Sequence, residues 1–106
     1  MEWFMAVLDD RAERLRRESV RLAADDRKDE GDLTKIRANV YGICKSVYQV
    51  LDGEKARAKL GALHDSWETA LAAARDYNDL KKASIETIKL ETLDEILALL
   101  DGKREV

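Results

Sequence analysis

Apolar positions recur at steps of three and four along nearly the whole chain, which is the spacing of side chains that share one face of an α-helix. In the first third, Met1, Met5, Leu8, Ala12, Leu15, Ser19, Leu22 and Asp26 fall on one line of a helical wheel. Such a line is a bundle seam, and it predicts a helix over about 2–30. The run from Asp25 to Asp32 is wholly polar and holds Gly31, so a turn is expected there, with Asp32 capping the next helix by accepting from free backbone amides.

A second helix is predicted over 33–51, with Leu33, Ile36, Val40, Ile43, Cys44, Val47, Val50 and Leu51 on one broad buried face. Several of these residues favour strands individually, but neither parity of the segment alternates cleanly, and periodicity outweighs propensity. Asp52-Gly53 supplies the stop, because glycine takes the left-handed conformation that helix C-termini favour.

From Glu54 to Asp101 the pattern stays in helical phase throughout, through Ala56, Leu60, Leu63, Trp67, Ala70, Ala74, Asn78, Lys81, Ile85, Ile88, Thr92, Ile96 and Leu99. The cluster Tyr77-Asn78-Asp79 is the one place with capping-type residues, and it divides the segment into helices over 54–77 and 79–101. Leu100-Asp101-Gly102 then ends the last helix with the chemistry expected of Leu51-Asp52-Gly53. The expected fold is all-α, a single domain over 1–106 built as an antiparallel up-and-down four-helix bundle. The alternative is three helices, the last one long and dimerising.

Composition agrees with that reading and limits function. Proline is absent among 106 residues, hydrophobic residues make up 45% and charged residues 39%, so the chain can bury a core and is rich in helix formers. The longest uncharged run, Ala38 to Cys44, is far shorter than a membrane span of about 20 residues. The N-terminus lacks the basic and apolar regions of a secretory signal, which makes the cytoplasm the expected location. One cysteine allows no internal disulfide, and no Cys/His cluster suits structural zinc.

Candidate chemistry is sparse. His64, the only histidine, is expected at the edge of the third helix, paired with Glu68 one turn on. Cys44 reads as a small buried hydrophobe, and its activation would require His64 to be packed beside it. Tyr41 and Tyr48 are expected to line the edge of the second helix with wet hydroxyls. A small-molecule or metal-binding bundle around His64, Cys44 and the two tyrosines is one alternative function.

Arg14, Arg17, Arg21 and Lys28 form a basic ridge, the basis of a second alternative, nucleic-acid binding. Interleaved Asp10, Glu13, Glu18 and Asp25, the lack of aromatics among them and a net charge of −3 favour an ion-paired, solvated face instead. Lys55, Arg57 and Lys59 crowd the start of the third helix, where an anion could sit. Trp67 is expected to anchor the core. Trp3 and Val7 point away from the seam, and with Phe4 they form a candidate interface that one monomer does not cover. No catalytic, cofactor or metal residue is nominated. The expected function is that of a small non-enzymatic helical module that forms a homodimer or binds another protein.

Overall fold

The computed structural model describes residues 2–102 and contains four helices: α1 (Glu2–Ala24), α2 (Lys28–Val50), α3 (Gly53–Asp76) and α4 (Leu80–Leu100). They run up and down as an all-helical bundle, and the division of the C-terminal half falls at Tyr77-Asn78-Asp79 as the capping residues predict. Asp79 closes the start of α4 by accepting from the Lys82 amide at 3.1 Å.

The first turn lies earlier than expected. α1 stops at Ala24 and α2 begins at Lys28, so Gly31 and Asp32 are helical and Asp32 caps nothing. Asp26 makes the turn in the left-handed region, with φ 65°. The Arg27 amide reaches the Leu22 carbonyl at 2.9 Å and the Asp26 amide reaches Ala23 at 3.2 Å, the hydrogen-bond pattern of a Schellman motif. Asn78 repeats it at φ 56°, with Asp79 bonded to Ala74 at 2.8 Å and Asn78 to Arg75 at 3.0 Å.

Gly31 lies inside α2 at a point where α1 passes too close to leave room for a Cβ. A Cβ at Gly31 would lie 2.9 Å from the Ser19 carbonyl oxygen, while the Ser19 hydroxyl donates to the Gly31 carbonyl at 2.7 Å. A Cβ at Gly61 would meet nothing within 4 Å. Gly61→Ala is therefore expected to raise stability by up to about 1 kcal/mol through helix propensity. Gly31→Ala should lower it by about 1–2 kcal/mol, because overpacking against backbone outweighs the same propensity gain. Urea denaturation of the two variants checks the opposite signs.

The expected stop at Gly53 also differs. Leu51 ends α2 in an extended conformation, and Asp52 caps α3 by accepting from the Lys55 amide at 3.0 Å. Gly53 is the first residue of α3, and the left-handed glycine is Gly102, at φ 71°. The two Leu-Asp-Gly sequences therefore do different work, one starting a helix and one ending it.

α1/α2 and α3/α4 form two antiparallel hairpins, and α2 packs on both helices of the second. Helices of this length are about 35 Å long. The molecule measures 37 × 34 × 30 Å, so the hairpins cross at an angle. The core is a single cluster that includes Phe4, Leu8 and Ala12 of α1, Val40, Tyr41 and Cys44 of α2, Leu60 and Trp67 of α3, and Leu93, Ile96 and Leu99 of α4. The α1 and α3 seams match their patterns, whereas α2 is rotated. Tyr41 is buried, while Ile43 is partly exposed and Val50 is 82% exposed.

Glu86 was not expected inside, yet it is buried. Its carboxylate faces the Lys89 ammonium at 3.1 Å, and that ammonium lies 4.7 Å from the centre of the Trp67 ring. The indole therefore supports a cation that offsets a buried anion.

Candidate functional site

α2 and α4 point the same way and meet at Tyr41 and Glu95, and between their N-terminal halves lies a cleft of about 270 Å³. Its floor is apolar, made by Leu33 and Ile36 of α2 and Ile85 of α4, all half-buried. Asp29 and Asp32 line the rim on the α2 side, and Lys81 and Ser84 line it on the α4 side. Asp32 is paired with Lys28 at 3.2 Å. Asp29 and Lys81 form no ion pair among the described residues. Leu80 lies one helical turn before Ser84 and is 73% exposed, and Tyr77, in the turn just ahead, is 86% exposed. Spacing places Leu33, Ile36 and Ile85 on seams, and it does not reveal a cleft between two helices. Tyr77 and Leu80 carried a usable signal, being large apolar residues beside a turn.

The N-terminal residues separate. Phe4 is fully buried, edge-on to Tyr48 with ring centres 5.3 Å apart, so one chain does cover it and it is no part of an exposed patch. The reason is its place one turn before Leu8, which continues the α1 seam. Val7 rests against the core, and Trp3 stays 52% exposed with its ring 5.9 Å from that of Phe4.

Tyr41 is the centre of a polar network rather than a wet edge residue. Its hydroxyl accepts from Arg11 of α1 at 3.3 Å and donates to Glu95 of α4 at 3.2 Å, and Arg37 donates to the same carboxylate at 3.0 Å. Burial raises the Tyr41 pKa, as it does that of Tyr48, whose buried hydroxyl has no partner among the described residues. Burial also pushes the Cys44 thiol up to about 12, which makes it a poor nucleophile.

His64 pairs with Glu68 as the spacing predicts, through Nδ1 at 3.5 Å, and also with Asp94 of α4, through Nε2 at 2.8 Å. Asp94 lies 30 positions away, and only the antiparallel register of α3 and α4 brings it there. Both ring nitrogens thus face carboxylates and not Cys44, so the arrangement of His64, Cys44 and the tyrosines in one site is not formed.

The basic ridge of α1 is ion-paired along its length. Arg14 meets Asp10 at 2.9 Å, Arg17 meets Glu13 at 3.2 Å, and Arg21 meets both Glu18 and Asp25. At the start of α3, Arg57 turns to Asp101 of α4 at 2.9 Å and away from any site at the helix N-terminus. No helix among the described residues is long and apolar enough to cross a membrane. No protein-family model, curated protein or solved structure matches the chain, so a functional reading rests on its own residues.

Proposed function

We propose that this chain is a non-enzymatic interaction module that pairs with a second copy of itself through the cleft between α2 and α4. The observation that carries the reading is the cleft's charge arrangement. Asp29 and Lys81 stand on opposite rims, and neither has an ion-pair partner among the described residues. A two-fold axis through the cleft sets the acidic rim of each copy against Lys81 of the other, so one surface complements itself. The half-buried Leu33, Ile36 and Ile85, with exposed Leu80 and Tyr77 beside them, supply apolar surface to be covered. The ion-paired α1 ridge gives no comparable support to nucleic-acid binding.

Sedimentation equilibrium tests the pairing. The wild type is expected to dimerise with a Kd of about 100 μM or tighter, equivalent to at least about 5.5 kcal/mol. Lys81→Asp should abolish the dimer, and adding Asp29→Lys should restore it by exchanging the rims. A wild type that stays monomeric at ~1 mM rejects the proposal. So does a dimer indifferent to both substitutions but lost on Trp3→Ala, a result that would place the interface at the N-terminal end of α1.

A further inference from the structure

We infer that His64, Asp65 and Glu68 form a site for a borderline divalent transition metal such as Zn²⁺, with Asp94 as the residue that positions the histidine. All three ligands come from one turn of α3. His64 and Glu68 stack at i and i+4, and Asp65 stands three residues before Glu68 on the adjoining row. One ligand atom from each lies within 4.8 Å of the other two. The separation of 3.5 Å between His64 Nδ1 and Glu68 Oε1 is the informative distance. Two ligands on a tetrahedral ion with bonds of about 2.1 Å are about 3.4 Å apart. The pair therefore stands at the spacing a metal needs, with no change of helix geometry.

Asp94 fixes which nitrogen is free. Its Oδ1 is 2.8 Å from Nε2, so Nε2 carries the proton and donates it, and the ring is held between α3 and α4. A carboxylate that takes the outer N–H of a metal-bound histidine is the usual second layer of such a centre, and it raises the basicity of the ligating nitrogen. Nδ1, on the other side of the ring, faces the Glu68 carboxylate across 3.5 Å, a gap that a bound cation would bridge.

The surrounding charge favours the metal. Asp65, Glu68 and Asp94 place three carboxylates around one imidazole, and none of them meets a lysine or arginine among the described residues. The helical neighbours four residues either side cannot help, being Gly61 and Thr69 for Asp65, Ala72 for Glu68, and Leu90 and Ala98 for Asp94. The contrast with α1, where Arg14, Arg17 and Arg21 each meet an acid three or four residues away, is plain. One imidazole and two carboxylates form a mixed nitrogen and oxygen set, which suits Zn²⁺ or Co²⁺ and discriminates against Mg²⁺, an ion that prefers oxygen ligands. Water would complete the coordination shell.

The test uses the full chain without a polyhistidine tag, so that His64 is the only imidazole present. Isothermal titration with Zn²⁺ should show one equivalent bound per chain, and Mg²⁺ should give no comparable heat. Nitrogen-15 spectra should show the metal-induced change at Nδ1, with Nε2 still protonated. His64→Gln should weaken Zn²⁺ binding at least tenfold, and Asp94→Asn should weaken it about 10- to 100-fold. Circular dichroism of both variants confirms that the helices persist. Imidazole signals unmoved by equimolar Zn²⁺, or binding that survives His64→Gln unchanged, would overturn the inference and leave His64 as a structural link between Glu68 and Asp94. Because the cleft between α2 and α4 is not involved, the result is independent of dimer formation.

Discussion

Trp67→Ala is expected to destabilise the protein by about 3–5 kcal/mol, a large share of the roughly 5–15 kcal/mol that holds a domain of this size. Trp67 is buried in the middle of α3 with the Lys89 ammonium 4.7 Å from its ring centre. Truncation removes the largest side chain from the core and also removes the surface on which Lys89 rests while it neutralises buried Glu86. Trp67→Phe keeps an aromatic face beneath the cation and should lose markedly less. Urea denaturation followed by circular dichroism measures both. A loss for Trp67→Leu no larger than that for Trp67→Phe would show that the cation's seat contributes nothing beyond packing volume.

The second large effect is a loss of stability in alkali that depends on Cys44. Burial moves its pKa from 9.0 to about 12, and the pKa values of Tyr41 and Tyr48 are also raised by burial. The folded chain therefore holds these protons more tightly than the unfolded chain. Their contribution is complete below about pH 9 and is lost as pH climbs from the unfolded toward the folded values. For Cys44 alone that loss approaches about 4 kcal/mol by pH 12. Stability curves of wild type and Cys44→Ala between pH 9 and about 12 should converge, because the variant has no thiol to ionise. Parallel curves would mean that burial does not hold the thiol protonated. The same burial makes Cys44 inert to alkylation in the native chain and reactive once urea exposes it.

Helix type was legible because the apolar positions repeat at 3.6 residues, but that phase runs unbroken from Glu54 to Asp101, and only the capping residues Tyr77-Asn78-Asp79 divide it into the third and fourth helices. Gly31 misled because glycine serves two purposes. It breaks helices, and it also lets two helices approach closely, and only the position of Ser19 across the interface decides between them. The face of α2 was misjudged because a wheel ranks Ile43 and Val50 above Tyr41. Burial of Tyr41 is helped by Arg11 and Glu95, from two other helices, which satisfy its hydroxyl. Phe4 was misjudged although Phe4-Leu8-Ala12 continues the seam backward by whole turns. The polar clusters were half legible. Glu68 is a local neighbour of His64, but Asp94 becomes one only through the register of α3 and α4, and the cleft is formed jointly by residues of α2 and α4 that lie far apart in sequence.

The two Schellman turns bear on how the chain reaches this state. Each hairpin connection is three residues long, with its central residue already turned into the left-handed region. Closing so short a loop costs little chain entropy, so α1/α2 and α3/α4 can zip locally without waiting for distant contacts. What remains is the docking of one hairpin on the other, in which α2 is the shared element. Contact order is therefore low for a chain of this length, and folding belongs on the microsecond-to-millisecond timescale of helical bundles. With no proline in the sequence, no peptide-bond isomerisation is available to add a slow phase.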